Sequence, residues 1–539
     1  MHLPDLSIDE AERRSRVGRA LLERVCTVNM DALPHDLALT LRLVRSNAQT
    51  WANSAAWYWT VIDPLGAGVF GMFAPTAYCG GTLLSFVNRQ LRDFQFVEAG
   101  DCDRYLGLIA DYARLLNQIS VRTVGQAGRG MRMPRLQVER ARALIQGFKS
   151  SAPTTVSVAP ERLTNAPSAG FAREIERRIA THIVPEFDRI LAIFSDEYLS
   201  AAPQSVGLSQ YAGGEDIYAA LVKLYTTLDV TPEQVHERGL IRMAEIGTAM
   251  ESVRQEAGFP EDSSAFIAHL SRDPRWRANT VEGVIAVFQR YIDRMRPIFG
   301  EHFHDTPTAT CSVVPLPEAL QGSMTFGYYD PPTANRNHGS YFFNAGNLVK
   351  QPLYSIAALT YHELIPGHHL HLGTQLKDEA LHPLRRHSMV TAYNEGWAEY
   401  ASTFAGEIGM YERPEERYGR LLWDGFFTCR LIVDTGMNSL GWSIEKARDF
   451  MREFTGMSDA EITTESVRYS CDIPAQSLAY KVGDAQIMKF REKMRRTLGK
   501  RFSVRDFHAA VLRAGSIPLG DLEWHLDYET EVLAMHPVT

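Results

Sequence analysis

The sequence lacks two features that would each assign the protein to a particular class. It has no excess of positive charge, because 56 basic residues stand against 64 acidic ones and the net charge is −8. We therefore do not expect it to bind the phosphate backbone of a nucleic acid through bulk charge. It also has no apolar run close to the ~20 residues that span a membrane, since its most apolar stretch, residues 66–78, is interrupted by Gly and Pro. Neither a nucleic acid nor a membrane is an expected partner.

Signals for export and for disulfide formation are absent as well. Residues 1–16, MHLPDLSIDEAERRSR, place no apolar segment behind a basic tip and so do not predict a signal peptide. The six cysteines are scattered, with no CxxC pair among them. This usage is typical of reduced, mostly buried thiols in a cytosolic protein. We therefore expect a soluble protein with a cytoplasmic location.

Helical periodicity dominates the rest of the sequence. Apolar residues recur at intervals of three and four in the segments 101–124, 170–198, 231–256 and 281–295. The third segment opens with Thr-Pro-Glu-Gln, which offers an N-cap threonine, a first-turn proline and a glutamine for a capping box. Residues 149–169 are rich in Ser, Pro, Thr and Ala and predict a connector or surface loop. Residues 305–352 place β-branched and aromatic residues between turn formers and predict a small sheet with loops.

The fold class predicted from this pattern is mainly α with a small β insert near residues 305–350. With 539 residues and 45% hydrophobic content, the chain is long enough for two to four domains or for one large fold with a long cleft. We divide it into an N-terminal helical region (1–150), a helical region forming a cleft wall (151–304), the β insert (305–352) and a C-terminal helical region (353–539). The candidate catalytic residues gather in the last region, and we expect one integrated fold.

The strongest functional signal is the segment 361–371, with the sequence YHELIPGHHLH. It is similar to the zinc-peptidase pattern H-E-x-x-H, in which two histidines four residues apart share one helical face and the glutamate activates water. Here the spacing is different. On a straight helix His368 would lie about 120° from the face of His362, and His369 would lie on that face but about 10.5 Å along the axis. A single metal ion therefore requires a distorted helix.

The residues between the histidines supply a means of distortion. Pro366 has no N–H group, so it cannot bond to the carbonyl of His362, and Gly367 tolerates unusual backbone angles. A bulge of two residues at this point would bring His368 beside His362. We therefore predict His368 as the second ligand, with His369 as the alternative. A helix end carrying surface histidines is disfavoured, because the apolar lead-in to the motif indicates a buried helix.

A candidate third ligand lies in the segment 394–400, NEGWAEY, far enough beyond His368 for a loop and a returning helix. This segment resembles the N-E-G-F-A-x-Y segment of aminopeptidase N-type enzymes, whose glutamate is the third zinc ligand. The resemblance implies that Glu395 has this role. Glu399, one helical turn later, is a candidate to hydrogen-bond the outer nitrogen of a metal-bound histidine. A solvated helix face explains Glu399 alone equally well.

A third segment, residues 474–483 with the sequence PAQSLAYKVG, contains Tyr480. Hydrolysis at zinc creates an oxyanion, which the metal usually shares with a phenol or imidazole donor. The Tyr-Lys-x-x-Gly piece is similar to the tyrosine-bearing helix of thermostable bacterial metallocarboxypeptidases and their helical relatives. We therefore take Tyr480 as the candidate electrophile, although a tyrosine on an apolar helix is on its own more often part of a core.

Together these segments resemble one bacterial family, the domain of unknown function DUF885. The resemblance covers most of the chain and includes further marks at residues 128–134, 213–218 and 430–436. It implies a gluzincin-like metallopeptidase fold of the zincin type, mainly helical with a single cleft, but no known substrate. The sequence departs from the family pattern at Asn438, where a histidine is usual, and at Glu399, where leucine is typical. If the usual histidine contacts the substrate, the departure bears on ordinary peptide cleavage.

Three arginines are weaker candidates for substrate binding. Arg336 lies in the β insert, where an edge strand could bind an extended substrate. Arg430 and Arg468 could each hold a substrate carboxylate through two hydrogen bonds. A structural ion pair is the more usual role for each of these side chains.

The sequence thus predicts a zinc-dependent hydrolase with one metal ion per chain. His362, His368 and Glu395 would hold the ion. Glu363 would take a proton from the attacking water and deliver it to the leaving nitrogen, and Tyr480 would stabilise the oxyanion. The expected substrate is a peptide or a small conjugate of an amino acid with an amide bond. Manganese, cobalt and iron also suit two imidazoles and a carboxylate, and the oligomeric state is open.

Two alternatives keep the cleft but change the function. One is a metal-dependent biosynthetic or catabolic enzyme that acts on a small non-peptide substrate, which the departures at Asn438 and Glu399 motivate. The other is a catalytically silent binding protein, and the intact metal ligands and Glu363 speak against it.

Overall fold

A computed structural model of the chain describes residues 3–66, 68–98, 100–163, 170–260, 263–304, 309–321, 327–333, 336–346 and 353–535. The described residues are mainly helical, as the sequence predicts, and they include one small β-sheet. None of the helices in these ranges is long and apolar enough to cross a membrane.

The α-helices of the described residues, numbered along the chain, are α1 Ile8–Cys26, α2 His35–Ala52, α3 Thr82–Asp93, α4 Asp101–Ala127, α5 Arg135–Val156, α6 Phe171–Arg178, α7 Val184–Ile193, α8 Asp196–Ala201, α9 Gly214–Thr226, α10 Pro232–Glu256, α11 Ser263–Arg272, α12 Val281–Met295, α13 Phe299–His302, α14 Glu318–Gln321, α15 Ile356–Glu363, α16 His368–Lys377, α17 Pro383–Arg386, α18 Thr391–Glu407, α19 Pro414–Asn438, α20 Ile444–Thr455, α21 Asp459–Val467, α22 Ala479–Leu498, α23 Val504–Arg513 and α24 Leu519–Met535.

Three of the four helical predictions match the structure closely, and α4 begins at the predicted Asp101 and ends three residues beyond the predicted end. α12 has the predicted bounds. At the start of α10, Thr231 Oγ1 accepts a hydrogen bond from the backbone N–H of Gln234, whose side-chain oxygen accepts one from the backbone N–H of Thr231, as expected for a capping box. The segment 170–198 is helical from Phe171 to Ile193, with a π-helical turn at Ile179–Ile183 joining α6 to α7, and it is interrupted only before α8.

The prediction of a connector over residues 149–169 is wrong for its first part. α5 continues to Val156 and carries Pro153 inside its last turn. Ala152 and Val156 pack into the N-terminal core, so burial outweighs the low helix propensity of the neighbouring Ser and Thr residues. Residues 164–169 lie outside the described residues.

Three strands form the small sheet predicted for the β insert: β1 Thr310–Pro315, β2 Gly327–Asp330 and β3 His338–Phe343. β3 is central, and it pairs in parallel with β1 and antiparallel with β2. The sheet packs on α12 through contacts of Tyr341 and Phe343 with Phe288. Residues 305–308, 322–326, 334–335 and 347–352 of the insert lie outside the described residues.

Two large cores share the C-terminal helices. The first is built mainly from α3–α9 and also takes in Leu431 of α19 and Val482 of α22. The second surrounds α12, α15, α18 and α24, and it contains Phe427 of α19 and Tyr480 of α22. α19 and α22 therefore contact both cores. The candidate site residues that these two helices carry lie where the two cores meet. The four regions drawn along the sequence stay a prediction.

Candidate metal centre

The histidine-glutamate motif folds as two helices rather than as one bulged helix. α15 ends at Glu363, the backbone of Leu364 (φ −111°, ψ −109°) and of Gly367 (φ −80°, ψ −128°) is not helical, and α16 begins at His368. A Cβ atom at residue 367 would lie 1.8 Å from the carbonyl oxygen of His362, so only glycine fits this turn. The distortion that the sequence predicts is present, and its form is a complete break.

The break brings His362 and His368 together, with their ring centroids 5.0 Å apart. Glu395 of α18 faces both rings, because its Oε2 lies 3.6 Å from His362 Nε2 and 3.3 Å from His368 Nε2. Donor atoms bound to one tetrahedral zinc ion at about 2.0–2.1 Å lie roughly 3.3–3.4 Å from one another. The measured separations, and a donor set of two imidazoles and one carboxylate, therefore fit a zinc ion.

The outer nitrogen of His362 contacts a second carboxylate. His362 Nδ1 lies 3.2 Å from Oε1 of Glu399, which has no exposed surface and also accepts hydrogen bonds from Trp423 Nε1 at 3.1 Å and Arg420 Nη2 at 3.2 Å. The alternative explanation for Glu399, a side chain on a solvated helix face, is therefore wrong. Burial opposes the charge of Glu399, but Arg420, the bond to His362 and Lys481 outweigh it and lower the pKa of Glu399 below its usual value.

The charge of this second carboxylate belongs to a buried ionic network. Lys481 of α22 lies 3.8 Å from Glu399, 2.8 Å from Asp424 and 2.5 Å from Asp484. Arg242 of α10 reaches Asp424 from the other side at 2.7 Å. Buried charges are tolerated when they are paired in this way. The network therefore fixes Glu399, and through it His362, to three further helices.

Protonation would compete with metal binding at this candidate centre. Burial alone would lower the pKa of His362, but the bonds to Glu395 and Glu399 outweigh it and raise that pKa to about 9. The same imidazoles outweigh the effect of burial on Glu395 and hold its pKa well below the usual value. A metal ion must replace the shared proton, so metal affinity is expected to increase with pH.

Glu363 lies next to the cluster without joining it. Burial raises its pKa above the usual value, and the imidazoles of His362 and His368 offset this only in part. Within the described ranges, no side chain forms a hydrogen bond or ion pair with its carboxylate. The carboxylate is therefore available to a water molecule and is more basic than an exposed glutamate.

Tyr480 lies near the ring of His362. The two rings are nearly parallel, with centroids 6.1 Å apart, and Phe427 stacks on both, at 5.5 Å from His362 and 4.6 Å from Tyr480. Burial and the charge of Glu395 raise the pKa of Tyr480 to about 12, against the opposing charges of Arg468 and Arg430. The phenol therefore keeps its proton at neutral pH and can donate it in a hydrogen bond.

The helices that carry Glu395 and Tyr480 cross at a pair of glycines. A Cβ atom on Gly396 would lie 2.6 Å from the backbone of Gly483, and one on Gly483 would lie 2.2 Å from the carbonyl oxygen of Ala392. Only residues without a side chain permit so close a crossing of α18 and α22. This contact brings Glu395, the candidate third ligand, and the phenol of Tyr480 to the same cluster.

The structure does not bring His369 or Arg336 into the cluster. His369 uses both ring nitrogens elsewhere, Nδ1 with the hydroxyl of Tyr329 at 2.6 Å and Nε2 with the carbonyl of Ala309 at 3.1 Å. Of the two candidate second ligands, His368 is therefore the one whose donor atom faces Glu395. Arg336 forms an ion pair with Asp330 at 2.7 Å, which is the ordinary role named for it.

Asn438 lies in a buried polar cluster at the end of α19. Its amide group donates to the carbonyls of Asp434 and Tyr469 and accepts from the backbone N–H of Leu208. The side chain has no exposed surface. A role for Asn438 in contacting the substrate finds no support in these contacts.

Arg430 and Arg468 lie close to Tyr480. The guanidinium carbon of Arg430 is 4.7 Å from the centroid of the Tyr480 ring. Arg430 pairs with Glu465 at 3.1 Å, and Arg468 lies 3.7 Å from the same carboxylate. Both arginines therefore have the structural ion pair named for them, although neither is far from the candidate electrophile.

Sequence reasoning missed the residues that support the ligands from a distance. Trp397 donates from Nε1 to the carbonyl of Pro366 at 3.0 Å and so holds the break between the two ligand helices. Arg420, Trp423 and Lys481 surround Glu399. Trp397 and Lys481 lie within the quoted motifs, which was a usable signal, whereas nothing in the sequence marks Arg420 or Trp423.

Comparisons with known proteins show what the whole chain is similar to. The profile of the family described as "Bacterial protein of unknown function (DUF885)" matches residues 1–526. No curated protein matches the chain. A solved candidate lipoprotein from Colwellia psychrerythraea is similar with a TM-score of 0.84 and 23% identity, covering 97% of this chain and 92% of that one. A candidate lipoprotein of unknown function from Shewanella oneidensis has a TM-score of 0.72 and 16% identity, covering 95% and 92%. At identities this low, the similarity shows only that this chain shares its fold with the two solved proteins.

Proposed function

The chain belongs to the DUF885 family of bacterial proteins, and we propose that it is a zinc-dependent hydrolase that cleaves an amide bond in a peptide or a small amino-acid conjugate. The observation that carries the proposal is the convergence of His362, His368 and Glu395, whose ligand atoms lie within 4.8 Å of one another. Three protein ligands are typical of catalytic zinc sites, whereas structural sites use four. Zinc in such a site makes bound water acidic enough to lose a proton near neutral pH.

Glu363 would accept the proton of the attacking water and pass it to the leaving nitrogen. Its position directly after His362 supports this role, and so does its pKa, which burial raises above the usual value. Its carboxylate is not used by another described residue. A general base works best when its pKa approaches the working pH.

Tyr480 would donate a hydrogen bond to the oxyanion that forms on the carbonyl oxygen. Its pKa of about 12 supports this, since the phenol stays protonated at neutral pH. Phe427 packs against the rings of both Tyr480 and His362 and limits their movement. Donors that are held in place before the reaction need little reorganisation in the transition state.

Elemental analysis and a hydrolysis assay on the same preparations test the proposal. We expect one zinc ion per chain and its loss in His362→Ala. Glu363→Gln is expected to retain the metal and to lose turnover by about 100-fold to 10,000-fold, measured on a library of peptides and acylated amino acids. Glu379→Gln, an exposed carboxylate after α16, is the matched control and should retain both.

Two outcomes would contradict the proposal. Protein purified from zinc-replete cells could carry no stoichiometric metal. Alternatively, the Glu363→Gln variant could hydrolyse a library member as fast as the unsubstituted protein. The first result would contradict the assignment of the metal site. The second would contradict the assignment of Glu363 as the general base.

A further inference from the structure

Two arginines share a single carboxylate beside Tyr480. Arg430 lies against the phenol ring, and Arg468 donates to the side-chain oxygen of Gln476 at 2.6 Å, about one helical turn before Tyr480. Glu465 lies between them, 3.1 Å from Arg430 and 3.7 Å from Arg468. Two guanidinium charges against one carboxylate leave a net positive charge at this position.

Neighbouring groups do not supply the missing negative charge. Burial raises the pKa of Asp472 to about 7, so that its charge is only partial at neutral pH, and it already accepts a hydrogen bond from Gln137 at 2.6 Å. Tyr78 and Tyr469 pack against the arginines, but burial raises the pKa of both phenols and keeps them neutral. Part of the positive charge therefore stays unbalanced.

The arginines also have unused hydrogen-bond donors. Nη1 of Arg430 and Nε of Arg468 are buried and have no acceptor among the described residues. Arg430 is 3% exposed, and a buried N–H group without an acceptor is costly. The side chain of Arg468 keeps 12% of its surface, so it is the one that a ligand can reach, and Arg430 stands behind it.

We propose that Arg468, backed by Arg430, binds a carboxylate of the substrate one residue from the scissile amide. The substrates would then be N-acyl amino acids or short peptides that lose their C-terminal residue, with water adding across the amide to give a carboxylic acid and a free amino acid. In such molecules one carbon atom separates the amide nitrogen from the carboxylate. Arg430 lies 4.7 Å from the ring of Tyr480, the donor assigned to the oxyanion, so the arginine pair stands beside the group that would contact the amide. The inference rests on the proposed function and names its substrate class.

Binding without turnover tests this subsite. N-acetyl-leucine and N-acetyl-leucinamide differ only in the carboxylate, and their affinities for the zinc-loaded Glu363→Gln protein can be compared by titration calorimetry. We expect the acid to bind at least about tenfold more tightly than the amide, as charge-assisted hydrogen bonds allow. Adding Arg468→Gln should abolish the difference, and Arg468→Lys should restore part of it.

Controls separate a substrate site from a general effect of charge. Arg496→Gln changes an arginine that is 72% exposed on α22 and should keep the preference for the acid. Acetate, which offers the anion without the amide, should bind much more weakly than N-acetyl-leucine. Equal binding of acid and amide, equal binding of acetate, or an unchanged preference in Arg468→Gln would overturn the inference. The comparison of acid with amide stands even if Arg468→Gln does not fold.

The hydrolysis assay distinguishes this inference from the proposed function. Cleavage of neutral amides with no preference for acids would overturn the proposed carboxylate subsite, while the proposed hydrolase function would stand. A preference for the acid in binding, without cleavage of any library member, would support the carboxylate subsite and overturn the proposed hydrolase function.

Discussion

The outer ring nitrogen of His362 lies 3.2 Å from an oxygen of Glu399, a carboxylate with no exposed surface. With Nδ1 donating to this carboxylate, Nε2 is the nitrogen that faces Glu395. Partners of this kind set the tautomer and the orientation of metal-binding histidines. In the proposed zinc site, this contact would orient His362 before any ion binds.

Replacing this carboxylate should weaken the metal site. Glu399→Gln keeps the shape of the side chain but removes the charge that Arg420 and Lys481 balance, and we expect zinc affinity to fall by about 10-fold to 100-fold. Competition with a chelator measures the affinity. Glu407→Gln, at the 40% exposed end of the same helix, should leave it unchanged. An unchanged affinity in Glu399→Gln would remove the role assigned to this carboxylate.

Removing one hydroxyl group should separate catalysis from folding. Tyr480→Phe keeps the ring that stacks on Phe427 and loses the hydrogen bond to the oxyanion, so kcat should fall by about 100-fold to 1,000-fold with normal zinc content. Tyr328→Phe, on an exposed tyrosine of β2, should be neutral. Equal kcat in the Tyr480 variant would contradict the assignment.

Position 367, in the turn between α15 and α16, should tolerate no side chain. In Gly367→Ala the new Cβ atom would lie 1.8 Å from the carbonyl oxygen of His362, so the break must open, and we expect loss of zinc and of about 3 kcal/mol of stability. Gly373→Ala is the matched control on α16, because nothing lies within 4 Å of its Cβ position. It should be neutral or slightly stabilising. The zinc content and the thermal unfolding of both variants measure these two effects.

Sequence reasoning succeeds here where neighbours along the chain determine the outcome. The capping box at Thr231 and Gln234 depends on four adjacent residues, and the break before His368 depends on Pro366 and Gly367. The network around Glu399 depends instead on the packing of α18, α19 and α22. No local pattern distinguishes Arg420 from an arginine on a solvated face, so this part of the site could not be predicted.

Burial also decides where local patterns mislead. Residues 149–156 have the composition of a connector, yet Ala152 and Val156 complete a core, and the helix continues. The cytoplasmic location and zinc as the native metal depend on surroundings outside the chain. These two stay predictions.

Stability should fall as the pH drops below about 6.5, and His508 should account for part of the slope. Burial lowers the pKa of His508 to about 3, whereas an imidazole in the unfolded chain titrates near 6.5. Between these values the unfolded state binds the additional proton. The contribution of His508 is therefore complete above pH 6.5 and is lost by up to about 1.4 kcal/mol per pH unit toward pH 3.

Denaturant unfolding at a series of pH values measures this slope. Nε2 of His508 accepts from the hydroxyl of Tyr400 at 2.8 Å and Nδ1 donates to the carbonyl of His302 at 2.9 Å. His508→Gln offers both functions without a titrating group and should reduce the slope. His182→Gln, on the exposed surface of the N-terminal half, should leave the slope as it is. A slope that His508→Gln does not change would contradict the prediction.

The contact between Gly396 and Gly483 has a consequence for how this protein can evolve. One crossing point sets the positions of both Glu395 and Tyr480, so a larger residue there would displace the ligand and the phenol together. Their spacing cannot be retuned by small exchanges at that point. In the proposed hydrolase, new substrate preferences would therefore arise from changes in the surrounding walls, while the geometry of the candidate centre is inherited unaltered.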